Sequence, residues 1–121
     1  MAADKKQVFI VDDDESVCRA LKFLLMTFGF EVCTFLSAEA FFSGVPASVH
    51  GSMILDIHMP VSDGWEALRQ INKSGFKRPV IIISADKNVG LKEKALKAGA
   101  VGFFQKPVND QELVDLINKT Y

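Results

Sequence analysis

Five polar residues stand where short apolar runs of this chain end, and three of them are aspartates whose carboxylates could bind a cation. They are Asp12, Asp13, Asp56, Ser84 and Lys106. Two carboxylates about 4 Å apart repel each other by roughly 4 kcal/mol at an effective dielectric near 20. Three of them in one pocket would therefore need a positive charge between them, or the pKa of one would rise. Mg²⁺ prefers one or two carboxylates together with waters and phosphate oxygens, so it suits such a pocket.

These residues close, or lie just past, four apolar runs that we predict to be β-strands. The runs span residues 8–11, 53–55, 80–83 and 101–104. The first and third are almost unbroken, which is typical of parallel strands covered by helices on both faces. Ligands of an open parallel α/β sheet bind at the carboxyl ends of its strands. We therefore expect the polar residues to meet at one site.

Helical patterns alternate with these strands along the chain. One helix face is predicted from apolar residues at helical spacing, namely Val17, Leu21, Leu24, Leu25 and Phe28. Gly29 would end that helix, Ser37 would cap the next one, and the alternating stretch 31–35 would form an edge strand. A third helix follows Asp63-Gly64. A helix closed by Gly99 and a last helix begun by Asn109 then complete five strand–helix pairs. With right-handed crossovers, this order predicts an α/β fold with a doubly wound five-stranded parallel sheet.

The composition predicts one globular domain over residues 1–121. Hydrophobic residues make up 49% of the chain and the net charge is −1, so nothing attracts it generally to nucleic acid or to an anionic membrane. No apolar stretch approaches the roughly 18 residues of a membrane span, and the polar N-terminus is unlike a signal peptide. We therefore expect a cytoplasmic protein. Cys18 and Cys33 are expected to be small buried side chains rather than a disulfide or a metal site.

With these features the chain resembles the receiver domain of bacterial two-component response regulators. The resemblance covers essentially the whole chain and rests on four motifs, in this order: Val11-Asp12-Asp13, then Leu55-Asp56-Ile57-His58-Met59-Pro60 with Asp63-Gly64, then Ile83-Ser84-Ala85, and finally Lys106-Pro107. It implies a flavodoxin-like (βα)5 fold with strand order 2-1-3-4-5. The stretches 37–41 and 97–100 are most similar to FixJ-type receivers, which usually precede a helix-turn-helix output domain.

The resemblance implies how the acidic residues would work. Asp56 would be the phosphoacceptor, attacking a phosphohistidine of a sensor histidine kinase or of a phosphotransfer protein. Asp13 would bind Mg²⁺ directly and Asp12 partly through water. Asp56 and the main-chain carbonyl of His58 would be further ligands of the metal.

The resemblance also implies roles for the residues that follow the fourth and fifth strands. The hydroxyl of Ser84 and the main-chain N–H of Ala85 would hold phosphate oxygens, while Lys106 would neutralise their charge. The peptide bond to Pro107 is usually cis in this family.

A phosphoryl group would become a signal through a switch, as the resemblance implies. Ser84 would move toward the phosphate and Phe103 would turn inward. This would change the face of helix four, strand five and helix five, which would control an output or form a phosphorylation-dependent homodimer. His58 and Asp86 lie two residues past Asp56 and Ser84, where receivers vary, and would tune the lifetime of the phosphoryl group.

Other functions remain as alternatives to a phosphorylation switch. A Mg²⁺-dependent phosphohydrolase of the haloacid-dehalogenase type also uses an aspartyl nucleophile, but it normally has Asp-x-Asp at the end of its first strand. A phosphorylation-independent binding module typically lacks one of the two adjacent aspartates, the phosphoacceptor or the lysine. This chain keeps all of them, as Asp12 and Asp13, Asp56, and Lys106. A nucleotide-binding flavodoxin-like protein lacks support because no glycine-rich loop follows the first strand.

Overall fold

The computed structural model describes residues 5–58, 64–74 and 78–121, which form alternating strands and helices. The strands are β1 (Gln7–Val11), β2 (Glu31–Phe35), β3 (Ser52–Asp56), β4 (Val80–Ser84) and β5 (Gly102–Gln105). The helices are α1 (Glu15–Thr27), α2 (Ala38–Gly44), α3 (Gly64–Lys73), α4 (Leu91–Lys97) and α5 (Asp110–Thr120). All paired strands are parallel, and their order β2-β1-β3-β4-β5 confirms the predicted doubly wound, flavodoxin-like fold. None of the described helices is long and apolar enough to cross a membrane.

Two apolar layers cover the faces of the sheet, because side chains alternate between the faces along each strand. Leu55 and Ile82 lie on one face and belong to a cluster with residues of α2, α3 and α4. Ile54 and Ile81 lie on the other face, in a cluster with residues of α1 and α5. Every residue of β3 and β4 is buried, as expected for central parallel strands. The polar ends of these strands are therefore positioned by strands that are buried along their whole length.

The helix boundaries follow the sequence signals. The N-caps of α1, α2 and α5 are Asp14, Ser37 and Asn109, and each side chain accepts a main-chain N–H from the first turn of its helix. Gly29 and Gly99, the predicted helix stops, have φ angles of 91° and 103°. Glycine adopts this left-handed conformation without the steric cost that a Cβ brings.

Two sequence predictions about burial are wrong. The apolar spacing predicts Phe28 on the buried face of the first helix, but Phe28 is the C-cap of α1 and is 44% exposed. The glycine turn that follows brings Phe30 into the core instead, where it is 5% exposed. Cys33 is exposed, because β2 is an edge strand in which no residue is fully buried, whereas Cys18 is buried as expected.

Candidate functional site

The carboxyl edge of the sheet brings the predicted polar residues together. Asp12 and Asp13 follow β1, Asp56 ends β3, Ser84 ends β4 and Lys106 follows β5. The three aspartates each offer a carboxylate oxygen within 4.8 Å of the others. Asp12 is fully buried and Asp56 is 4% exposed, while Asp13 lies open to solvent. The cluster therefore forms the floor of a site that is accessible from the Asp13 side.

Lys106 brings a positive charge to this cluster. Its Nζ lies 2.8 Å from Oδ2 of Asp12 and 3.5 Å from Oδ2 of Asp56. Burial alone would lower the pKa of the ammonium, but the hydrogen bond to Asp12 and the charges of Asp12 and Asp56 outweigh it and raise the pKa. Lys106 is therefore charged at neutral pH. Its peptide bond to Pro107 is cis, as predicted.

Asp56 is held in an environment that disfavours its charged form. Burial raises the pKa of its carboxyl, and the charge of Asp12 raises it further. The N–H of His58, which donates to Oδ1 of Asp56 at 3.1 Å, and the ammonium of Lys106 lower the pKa, but they do not cancel the rise. The cluster thus carries more negative charge than its described neighbours neutralise.

The donor set fits a hard divalent cation. Both oxygens of Asp12 are already engaged, Oδ1 by the N–H of Asp14 at 2.9 Å and Oδ2 by Lys106. Asp13 is exposed, and the part of the chain that the structure describes shows no hydrogen bond to its carboxylate. Carboxylates with room for waters are what Mg²⁺ prefers, because it keeps part of its hydration shell. The acidic pocket that the sequence predicted is therefore present.

The hydroxyl of Ser84 connects the site to the loop that leads to α4. It is fully buried and accepts the N–H of Asp86 at 3.0 Å. Oδ1 of Asp86 in turn accepts the N–H of Asn88 at 2.8 Å. Ala85 is exposed between these residues. The serine is thus hydrogen-bonded into the β4–α4 loop, with no hydrogen bond to Asp56 among the described contacts.

The side chains of His58 and Asp86 meet on the outer side of the site, and the sequence does not predict this contact. Nε2 of His58 lies 3.2 Å from Oδ2 of Asp86, and both side chains are partly exposed. Each residue lies two positions past the end of its strand, and those strands, β3 and β4, are neighbours. The signal that could have revealed the pair was therefore this shared offset, combined with the predicted strand order.

The start of α3 packs directly against the strand that carries Asp56. A Cβ at Gly64 would lie 2.6 Å from Cα of Ile57 and 2.8 Å from the carbonyl oxygen of Asp56. No side chain fits there, so glycine allows α3 to begin at the rim of the site. Phe103 on β5 is half-buried and packs against the apolar layer under α2, α3 and α4. Three other residues of the predicted motifs lie outside the described residues: Met59, Pro60 and Asp63.

Comparison with known proteins agrees with this geometry. The chain matches the response regulator receiver domain over residues 8–118. The response regulator protein TodT from Pseudomonas putida is 40% identical over 110 residues, which cover 91% of this chain and 48% of TodT. The transcriptional regulatory protein FixJ from Rhizobium meliloti is 38% identical over 112 residues, which cover 93% of this chain and 55% of FixJ.

Solved structures show the same fold. A crystal structure of FixJ-N superposes with a TM-score of 0.87 at 36% identity, covering 98% of this chain and 94% of that one. The response regulator StyR superposes with a TM-score of 0.88 at 38% identity, covering 97% of this chain and 59% of that one. The chain spans about half the length of the curated relatives that it matches. From its sequence match, its strand order and its polar cluster, this chain belongs to the family of response regulator receiver domains.

Proposed function

We propose that this chain accepts a phosphoryl group on Asp56 and passes the signal on through a change in its surface. The observation that carries the proposal is the carboxylate of Asp56, nearly buried at the end of a central strand beside two further aspartates and Lys106. The donor would be a phosphohistidine of a sensor histidine kinase or of a phosphotransfer protein. An oxygen of Asp56 attacks the phosphorus, the new P–O bond forms as the P–N bond breaks, and the imidazole nitrogen leaves with its electron pair.

The metal of this site is proposed to be Mg²⁺. Asp13, Asp56 and the main-chain carbonyl of His58 would hold it directly, with Asp12 reached partly through water. The exposure of Asp13 supports a direct bond, and the engagement of both oxygens of Asp12 supports an indirect one. When bound, the ion would neutralise part of the charge on the phosphoryl oxygens.

The remaining groups at the strand ends would hold the phosphoryl oxygens during transfer. Lys106 lies 3.5 Å from Oδ2 of Asp56 and would place its ammonium beside the incoming group. The Ser84 hydroxyl and the main-chain N–H of Ala85 would donate hydrogen bonds to the other oxygens. Phosphoryl transfer depends mostly on such positioning and charge neutralisation, so Asp56, Ser84 and Lys106 would be the catalytic set.

His58 and Asp86 are proposed to tune how long the phosphoryl group survives. Their side chains meet on the outer side of the site, where a water would approach to hydrolyse the acyl phosphate. Asp86→Asn weakens the pair and would change the half-life of the adduct measured by intact mass. An unchanged half-life would exclude this role.

Ser84 and Phe103 are proposed to carry the signal to α4, β5 and α5, where an output or a second copy of the chain would be controlled. FixJ is a transcriptional regulatory protein, and we propose that this chain controls an output of that kind, with no nucleic acid bound by this domain itself. The domain is proposed to span residues 1–121 and to act in the cytoplasm.

Replacing Ser84 with alanine is expected to separate phosphorylation from signalling. Ser84→Ala removes the hydroxyl that would turn toward the phosphoryl group, while Asp56 and Lys106 remain. Amide NMR shifts with beryllofluoride, a phosphoryl mimic, should then change at the site but at least about threefold less on α4, β5 and α5 than in the wild type. Sedimentation with and without the mimic would report a homodimer on the same face. A wild-type shift pattern in Ser84→Ala would mean that the signal leaves the site by another route.

The function itself is tested by treating the chain with acetyl phosphate and Mg²⁺. We expect one adduct of about 80 Da per molecule by intact mass, formed once and lost slowly. A phosphohydrolase would instead release phosphate from small phosphate esters in steady turnover, and a phosphorylation-independent binding module would gain no mass. Either of those results would reject the proposal.

A further inference from the structure

Apolar packing alone does not fix α4, the helix that follows the Ser84 loop. Of its seven residues, all of which the structure describes, Ala95 is the one that is buried. By contrast, α5 buries Leu113, Val114 and Ile117. The N-cap of α4 is Gly90, with a φ of 95° and no side-chain hydrogen bond. Other contacts must therefore contribute to where α4 lies.

Two side-chain contacts tie α4 to α3, and we name them the α3–α4 clasp. Nζ of Lys94 lies 4.3 Å from the centre of the Trp65 ring, which is cation–π distance. Nδ2 of Asn72 donates to the carbonyl of Ala98, the C-cap of α4, at 2.8 Å. A Cβ on Gly99 would lie 2.8 Å from Nδ2 of Asn72, so glycine at this position leaves room for the side-chain amide of Asn72. The clasp thus holds α4 at its middle and at its end.

Both helices of the clasp are connected to the proposed phosphorylation site. On one side, α3 begins at Gly64, which packs against the backbone of Asp56. On the other side, the Ser84 hydroxyl accepts the N–H of Asp86 in the loop that runs into α4. If Ser84 turned to a phosphoryl group on Asp56, the hydrogen bond from Asp86 would be lost. The loop before α4 would then be freed while α3 stayed in place.

We propose that the α3–α4 clasp holds α4 in the position of the unphosphorylated chain and opens when Ser84 turns toward phosphorylated Asp56. The inference rests on the proposed function. A hydrogen bond weakens steeply beyond about 3.2 Å, so a shift of α4 by about 1 Å breaks the bond from Asn72 to Ala98. A contact made in one of two states biases the equilibrium toward that state.

The coupling between the clasp and the Asp56 site is reciprocal. A mutation that opens the clasp should therefore strengthen the binding of a phosphoryl mimic at that site. Asn72→Ala and Lys94→Met each remove one contact from an exposed side chain, so the core is untouched. Each is expected to tighten beryllofluoride binding about three- to tenfold, the range for one surface contact. Simple electrostatics predicts the opposite for Lys94→Met, since removing a positive charge weakens the binding of an anion.

The test is a beryllofluoride titration of the full chain with Mg²⁺, followed by amide NMR shifts near Asp56. The matched controls are Gln70→Ala on α3 and Lys97→Met on α4, which alter exposed side chains outside the clasp. Both should bind as the wild type does, and Lys94→Arg, which keeps a cation over Trp65, should as well. The amide spectra themselves show that each variant is folded.

Tighter binding by Asn72→Ala and by Lys94→Met, with unchanged controls, supports the clasp. Unchanged or weaker binding in these two variants overturns it and leaves the proposed function standing, provided that the wild type binds the mimic. Tightening of the same size in Lys97→Met also overturns it, because the effect would then not depend on the contacts of the clasp. A wild-type chain that binds no beryllofluoride and forms no adduct with acetyl phosphate rejects both the clasp and the proposed function.

Discussion

Replacing Asp56 with asparagine is expected to abolish the acetyl phosphate adduct, reducing it at least about 100-fold. The amide keeps the size of the side chain but has no carboxylate oxygen to attack phosphorus. Asp12 cannot replace it, because its two oxygens are held by Asp14 and Lys106. Intact mass after incubation with acetyl phosphate and Mg²⁺ measures the result.

The matched control for this substitution is Asp115→Asn, on the exposed side of α5. It makes the same chemical change outside the site and should leave the adduct at the wild-type level. An undiminished adduct in Asp56→Asn would assign the phosphoryl group to another residue. Peptide mapping would then identify that residue.

The site was predictable because its residues are fixed by strand ends rather than by loop conformation. Short apolar runs place Asp56 and Ser84 at the ends of β3 and β4, where a parallel sheet collects its polar side chains. Burial on both faces leaves little freedom in the register of these strands. The sequence therefore predicted both the fold and the cluster, whereas each residue's role still depends on the resemblance and on experiment.

Contacts between helices were much harder to predict. Asn72 and Ala98 are 26 positions apart, and nothing in the sequence pairs them. Their approach depends on the packing of α3 against α4, which apolar periodicity does not specify to the accuracy of a hydrogen bond. The apolar pattern also does not predict the exposure of Phe28, because α1 ends one residue before that pattern does.

Mg²⁺ is expected to raise the melting temperature of this chain, and to do so more at pH 7.5 than at pH 4. The raised pKa of Asp56 means that the metal-free folded state binds a proton more tightly than the unfolded chain does. The stability of the metal-free chain therefore falls as pH rises from the ordinary aspartate pKa of about 3.8 through the raised pKa of Asp56. Lys106 does not contribute to this change of stability with pH, because its raised pKa keeps it charged over the whole range.

Metal binding would restore the stability that the charged cluster loses. At free Mg²⁺ about 100 times its dissociation constant, binding adds about 2.7 kcal/mol to the free energy of unfolding. For a chain of this length that corresponds to a rise of about 10 °C in melting temperature. At low pH the proton competes with the metal for Asp56, so the rise should shrink. Differential scanning calorimetry in EDTA and in Mg²⁺, with NaCl matching the ionic strength, measures the rise in melting temperature at pH 7.5 and at pH 4.

Asp13→Ala decides whether the acidic cluster is the source of this effect. It removes the exposed carboxylate that is proposed to bind the metal directly, so most of the rise at pH 7.5 should disappear. Asp115→Ala, which removes an exposed carboxylate of α5, should keep the full rise. A melting temperature that responds to Mg²⁺ equally in both variants would place the ion elsewhere. It would also remove the main support for Asp13 as a ligand, because loss of the most accessible carboxylate should weaken the binding of a metal at the cluster.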